Sequence, residues 1–344
     1  MKIRTDLNRI KEEWDNGNVN DFIHSSFLEI FYSNHPKIKH IFVIDKGLRL
    51  YGHLFTLRFN KIANYLNNKL AVFLLQFLRF KILYLTNTFI TNVPSFTSKD
   101  KIDINKLLAL LKNNYDLLIL PDFLYDNITT QKNDFFKIEV EEEMALQINK
   151  KWCSLEGYIS DFKKKYKKKV EKILESSKEI EVRTINSEDL NNYSEKIQAL
   201  FIQLINESKF NGPKFNTSSF SCLIKKDFFK LNGYFINNDL IAFASEIYQD
   251  KILYSYYVGF DKSLNETLSI YPRILLESIN TAIKLKKEKV VFGRTANEFK
   301  SNFGAKPIQS YVYLHVRNRF LRILLLPIFK KLTIKKWQQR NPFK

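Results

Sequence analysis

Apolar and polar positions alternate along two stretches that enclose short turn signals. Residues 41–44 and 48–57 flank Asp45-Lys46-Gly47, and residues 234–236 and 240–248 flank Asn237-Asn238-Asp239. Turn residues between alternating runs reverse the chain, so each pair reads as a β-hairpin. A β-rich run follows each hairpin and opens with the same four residue types, Lys81-Ile82-Leu83-Tyr84 and Lys251-Ile252-Leu253-Tyr254. Helical spacing comes next. Ile104, Leu107, Leu108 and Leu111 mark a helix over residues 104–113, and Ile274, Leu275, Ile279 and Ala282 mark one over 270–285. Short apolar strands close both series, at residues 116–120 and 289–292. The order hairpin, strand, helix, strand therefore occurs twice and predicts a duplicated α/β unit. The first copy carries an insert at about residues 58–80 with no Asp or Glu, read as an extra strand or helix on the core.

Between the copies, residues 158–178 read as one amphipathic helix. Its apolar stripe is Ile159, Phe162, Tyr166, Val170, Ile173 and Leu174. The other face holds Lys163, Lys164, Lys165, Lys167, Lys168, Lys169 and Lys172, whose mutual repulsion an anionic partner would relieve. Plain solvation of that face is the competing reading. Residues 317–344 carry nine Lys and Arg and no acid, with Leu321, Ile323, Phe329 and Trp337 among them. Such a segment can lie on an anionic bilayer or pack on the body with its lysines solvated. Pro327 is expected to break its helical pattern.

The composition is globular: 45% of the 344 residues are hydrophobic and 26% charged, enough for a core and for about two domains. This excludes a disordered chain, a collagen and a disulfide miniprotein. Cys153 and Cys222 form no CxxC frame, and the five histidines show no ligand spacing, so no metal site is expected and a reducing compartment is. The net charge of +19 points to anionic partners: nucleic acid, a phosphorylated cofactor or an acidic membrane. With only 9 glycines, Gly-rich phosphate loops are not expected. The first residues lack the apolar core of a secretory signal. Residues 70–85 fall short of the ~20 that span a bilayer, and Arg79 and Lys81 interrupt them. The reading is a cytoplasmic protein without a transmembrane helix.

Candidate chemistry concentrates in residues 253–307. The strand over 252–260 is apolar on both faces, hence central, with Tyr254 and Tyr256 expected on one side and Ser255 and Tyr257 on the other. Gly259 permits a bulge or a close backbone approach. A polar loop at 261–269 then leads to a helix whose N-terminus can hold an anion. After the strand at 290–292, Thr295 and Glu298 have the spacing of a capping box, and Ala296, Phe299 and Phe303 that of a buried helix side. Gly304 suits the position past the helix end, and Pro307 stops continuation. Arg294 and Lys300 come close to a strand end, where α/β folds place ligands. The competing readings are an Arg294–Glu298 ion pair and a solvated Lys300.

The stretch "YYVGFD", a helix, and then "VVFGRTANEFKSNFGAKP" resembles the C-terminal half of Fem-type acyltransferases, in the BioF-like branch of the GNAT superfamily. That branch shows Gly-Arg-Thr, a later lysine and Gly-Ala-x-Pro, matched here by Gly293, Arg294, Thr295, Lys300, Gly304, Ala305 and Pro307. Residues 144–173, "MALQINKKWCSLEGYISDFKKKYKKKVEKI", resemble a second family stretch, with Lys167 where arginine is common. The resemblance covers about residues 120–315. It implies an α/β (α+β) fold of two tandem GNAT-like units, each a mixed central sheet flanked by helices. The expected divisions are 1–150, 151–316 opening with the Lys-rich helix, and a basic apolar tail at 317–344.

What the resemblance implies chemically is N-acylation: a primary amine attacks an activated carbonyl held on coenzyme A or acyl carrier protein. Glu246 is then the acid candidate, against a solvent-facing or salt-bridged reading. Tyr256 or Tyr257 would donate to the oxyanion, against core packing. Lys300 and Arg294 would meet donor phosphate or the oxyanion, with Gly259 and Thr295 beside the cofactor. The glycine-free 261–269 stretch departs from the usual pyrophosphate loop. The acceptor reading is an amino lipid or cell-envelope precursor, with the protein peripheral on the inner face of the cell membrane. One alternative is tRNA-dependent aminoacyl transfer to peptidoglycan precursors, disfavoured because the long helical arm of those enzymes has no evident counterpart. The other is a non-catalytic binder of an anionic surface or nucleic acid. Lys300→Ala and Arg294→Ala are expected to remove activity without moving the melting temperature.

Overall fold

The computed structural model describes residues 1–16, 20–58, 79–129, 134–207, 212–329 and 336–344. The insert expected at 58–80 lies almost wholly outside the described residues. In chain order the strands are β1 (Lys2–Arg4), β2 (Lys39–Asp45), β3 (Leu48–Arg58), β4 (Arg79–Tyr84), β5 (Phe96–Ser98), β6 (Leu117–Pro121), β7 (Phe135–Gln147), β8 (Glu181–Thr184), β9 (Lys230–Ile236), β10 (Asp239–Tyr248), β11 (Ile252–Phe260), β12 (Lys289–Val291) and β13 (Lys306–Val316). Packing divides the chain into two compact units. The first comprises Met1–Val140, Lys209–Asn216 and Ser310–Ile334; the second comprises Glu141–Ser208, Thr217–Gln309 and Lys335–Lys344.

In the first unit β2, β3 and β4 pair antiparallel, and β4 pairs parallel with β6 at Ile82↔Leu117 through Tyr84↔Ile119. The intervening helix Ile104–Leu111 is capped by the Asp103 carboxylate, which accepts from the amides of Asn105 and Lys106. Its Ile104, Leu107 and Leu111 bury against Ile41, Val43, Leu83 and Leu118. The second unit repeats this plan. β9, β10 and β11 pair antiparallel, and β11 pairs parallel with β12. Helix Ile270–Lys284 buries Leu275, Leu276, Ile279 and Ala282 against Leu253, Leu146 and Val290. The β9–β10 turn uses Asn237 and Asn238 at φ 48° and 65°, the left-handed geometry that matches strand twist. Both units are thus mixed sheets flanked by helices.

The boundaries differ from those expected. The open edge of β6 is closed by β13, with Val312↔Pro121 through Val316↔Leu117, and that of β12 by β7, with Lys289↔Gln147 through Val291↔Ala145. The chain therefore changes unit inside β7 and inside β13 rather than at residues 150 and 316. Residues 317–344 are not one tail. Helix Arg319–Phe329 packs in the first unit through Leu321, Leu325 and Phe329, while Trp337 and Phe343 pack in the core of the second. The helix also runs through residue 327, because a proline in the last turn removes only one backbone bond. The single helix expected over 158–178 is two, Leu155–Ser160 and Lys164–Ser176. The Lys163 amide bonds the Pro342 carbonyl at 2.8 Å instead of continuing the helix. Most of the apolar stripe is buried nonetheless: Ile159, Phe162, Val170 and Ile173 all lie in the core.

Candidate active site

β11 and β12 pair only from Ile252↔Lys289 to Tyr254↔Val291. Beyond that point β11 continues beside β10 to Phe260, while the chain after β12 follows β7: Phe292 N donates to Met144 O at 2.8 Å and Met144 N to Gly293 O at 3.0 Å. Two parallel strands thus part company at their C-terminal ends, where α/β proteins bind ligands. The chain turns sharply there. Gly293, Thr295 and Ala296 have φ of 68°, 69° and 50°. Two non-glycine residues in that region mark stored backbone strain, a common property of functional turns. A Cβ on Gly293 would meet no atom within 4 Å, so the turn faces open space.

Lys300 holds this turn. Its residue is 3% exposed, and Nζ donates to the carbonyls of Phe292, Gly293 and Arg294 at 2.9, 3.1 and 2.8 Å. The solvated reading is overturned, and all three ammonium donors are occupied by backbone. Burial pushes the ammonium down to about 7, against the pull of Glu143 and Glu141. The capping box does not form. The helix is Asn297–Ser301, its N-cap is Ala296, and no side chain caps it. Ala296 is exposed, whereas Phe303 is buried in the core and Phe299 packs against it, beside buried Asn297, Lys300 and Ser301. Glu298 pairs with Arg340, whose amide also donates to Ser301 Oγ at 3.0 Å. Gly304 has φ 84°, and a Cβ there would sit 2.2 Å from the Phe343 ring. The two family-like stretches pack together here: Tyr158 donates to Phe303 O at 2.8 Å and Lys169 to Asn302 Oδ1 at 3.3 Å.

Across the opening, β11 carries a bulge that the alternation of residue types does not show. Its register runs from Glu246↔Ser255 to Ala244↔Val258, so Ser245 alone faces Tyr256 and Tyr257. Ser245 Oγ accepts from Tyr257 N at 2.8 Å and donates to Tyr257 O at 3.1 Å. The expected separation of Tyr256 from Tyr257 is therefore wrong. Their rings lie 5.5 Å apart in one aromatic cluster, Tyr256 against Phe229 at 5.9 Å and Tyr257 against Phe201 at 5.6 Å. Burial pushes the Tyr256 hydroxyl far up; Tyr257 and Glu143 add to the rise and Arg294 opposes it. Tyr256, Arg294, Glu143 and Lys300 therefore share one electrostatic neighbourhood. Glu143 escaped the sequence reading because it lies on β7, in the stretch assigned to the other copy; the acidic run Glu141–Glu143 was its only signal.

Glu246 stands apart. It is 1% exposed, so the solvent-facing reading fails. Its carboxylate accepts from Ser278 Oγ at 2.7 Å, Tyr248 Oη at 2.8 Å and Asn232 Nδ2 at 3.4 Å. Burial raises its pKa and these bonds oppose the rise. Gly259 is a packing glycine: a Cβ would stand 2.4 Å from the Phe243 ring and 2.9 Å from the Phe201 amide of helix Leu190–Glu207. Residues 261–269 are not a loop. Helix Lys262–Leu268 begins there, and the Asp261 carboxylate accepts from Ser263 N at 2.9 Å. That carboxylate takes a free amide at the helix start and adds negative charge there, so these residues do not fit the usual coenzyme A cradle. A separate cavity of about 560 Å³, lined by Leu146, Trp152, Lys306 and Phe343, includes none of the grouped residues.

The first unit holds a different buried cluster. His53 Nδ1 accepts from Thr88 N and Oγ1 at 3.2 and 2.6 Å, which puts its proton on Nε2. Nε2 then donates to Tyr51 Oη at 2.7 Å, and that hydroxyl donates to His40 Nδ1 at 2.5 Å. Burial pushes His53 well down, His40 to about 3 and His35 to about 4, so all three are neutral. Among the described residues no group of His, Cys, Asp and Glu could hold a metal ion.

No protein-family model matches the chain, and no curated protein matches it. Among solved structures it is similar to the L-PGS of Bacillus licheniformis, at 12% identity and TM-score 0.54, covering 96% of this chain and 98% of that one. It is similar to FemX at 11% identity and TM-score 0.51, covering 94% and 100%. A conserved protein of unknown function from Bacteroides thetaiotaomicron matches at 10% identity and TM-score 0.53, covering 91% and 99%. The chain shares the fold of these structures.

Proposed function

We propose that the chain is an N-acyltransferase that moves an acyl group from a thioester to the primary amine of an amino lipid or cell-envelope precursor, acting from the cytoplasm at the inner face of the membrane. The observation that carries this reading is the grouping of Arg294, Tyr256, Glu143 and Lys300 where β11 and β12 part. The amine nitrogen attacks the acyl carbon, the carbon–sulfur bond breaks, and the amine proton passes through Glu143 to the departing thiolate. Arg294 and the Tyr256 hydroxyl stabilise the oxyanion. Lys300 is a positioning residue, since its donors hold the Phe292–Arg294 turn. Thr295 lines the same turn, Tyr257 shapes the aromatic wall, and Glu246 anchors β10 to helix Ile270–Lys284. The Asp261 cap favours a donor carried on acyl carrier protein over free acyl-CoA.

The second reading is tRNA-dependent aminoacyl transfer. Exposed Lys164, Lys165, Lys167, Lys168, Lys169 and Lys172 on helix Lys164–Ser176 favour it. Mass spectrometry of lipids and muropeptides from cells with the gene, without it, and with Arg294→Ala separates the two. Loss of an N-acyl lipid with accumulation of its free amine supports the first. Loss of an amino-acid branch supports the second. No change in either fraction refutes both and leaves a non-catalytic binder.

A further inference from the structure

The first unit leaves an apolar pair uncovered. Helix Arg319–Phe329 packs Leu321, Leu325 and Phe329 against Phe80, Ile82, Leu117, Leu314 and Val316. The same helix leaves Phe320 84% and Ile323 65% exposed. They are three residues apart, hence neighbours on the helix surface, and two large apolar groups so exposed mark a surface that meets a partner. Cations adjoin the pair along the chain. Arg317 and Arg319 are exposed, and so are Lys81 and Lys112, whose carbonyls bond the Asp116 amide and the Arg317 guanidinium. Asp116 and Asp134 pair with Arg317 and Arg322.

We propose that this helix face docks on an anionic lipid bilayer, with Phe320 and Ile323 entering the interface and Arg319 meeting lipid phosphates. A second copy of the chain would bring like charges together. A nucleic acid would use the cations but gain nothing from an exposed isoleucine. An interfacial amphipathic helix uses both features: apolar groups at acyl-chain depth and cations at the anionic headgroups. Among the described residues no helix is long and apolar enough to cross a membrane.

The inference deepens the membrane-borne acceptor of the proposed function, yet it involves none of the residues grouped at the active site. Flotation with phosphatidylcholine vesicles, with and without phosphatidylglycerol, tests it directly. The protein is expected to float with the anionic vesicles, and both Phe320→Ser/Ile323→Ser and Arg319→Glu to bind them at least about tenfold more weakly. Melting temperature and turnover of a water-soluble amine should stay unchanged in both variants. Absence of wild-type binding, or wild-type binding by the double variant, overturns the proposal. So does a wild-type dimer in sedimentation that the double variant abolishes, since the face would then be a self-interface. Vesicle binding without any acyl transfer would refute the enzymatic reading and leave the docking surface standing.

Discussion

Replacing Lys300 with methionine tests the site at its structural centre. The change keeps the length of the stem and removes the ammonium that bonds three successive carbonyls. An acceptor left without its donor costs about 1–3 kcal/mol. The open side of Gly293 admits water to the turn, so the low end applies and the loss is about 3 kcal/mol in all. For a unit of this size that lowers the melting temperature by roughly 6–12 °C. The expectation from sequence, activity lost at unchanged stability, is therefore revised. The pH dependence carries the sign. Lys300 titrates near 7 when folded and near 10.5 when unfolded. Between those values the unfolded chain binds more protons, so wild-type stability gains from this group as pH rises from about 7 toward 10. The gain is at most ~5 kcal/mol. Urea unfolding of both proteins at a series of pH values measures it: the gap between them should widen from pH 7 upward. Turnover of Lys300→Met should fall mainly in kcat, with partial rescue by Lys300→Arg. Equal stability at every pH, together with unchanged kcat, would refute the positioning role.

Arg294→Ala should lower turnover by about 10²–10³ with little change in melting temperature, as expected for a group aimed at developing charge; a large fall in stability would show a structural role instead. His35 is neutral in the fold and titrates near 4 there, against 6.5 when unfolded, so its share of stability is lost as pH falls from about 6.5 to 4. His35→Phe should flatten that acid loss by up to ~1.4 kcal/mol per pH unit in urea titrations, and an unaltered slope would remove His35 from the account. Gly304→Ala puts a Cβ 2.2 Å from the Phe343 ring at φ 84° and should cost more than ~1–2 kcal/mol, read as a lower melting temperature. Thermal scans with no shift would mean the 336–344 segment moves aside freely.

Local features were legible in the sequence because local physics decides them. Alternation and turn residues located both hairpins, and helical spacing located Ile104–Leu111 and Ile270–Lys284 within a few residues. The repeated order of these elements carried the fold class, and the Gly-Arg-Thr motif led to the turn at Gly293. Failures fell where a distant segment overrides a local pattern. Thr295 and Glu298 have the spacing of a capping box, yet Arg340 takes Glu298 and the turn carries Thr295 into left-handed geometry. The stripe over 158–178 fits one helix, yet Pro342 captures the Lys163 amide and splits it.

The sequence by itself determined that residues 41–57 and 234–248 form hairpins, that helices follow near 104–113 and 270–285, and that these elements come as two similar units. Each such choice is made by neighbours a few residues apart. Only the tertiary structure decided that β13 closes the sheet beside β6 and β7 the sheet beside β12, because a strand edge accepts any antiparallel partner that brings matching hydrogen bonds. Only the structure buried Lys300 under three carbonyls, brought Glu143 within electrostatic reach of it and turned Phe320 outward. Burial and charge neighbours are set by what the rest of the chain packs against, and a lysine in a linear sequence carries no mark of the carbonyls it will meet.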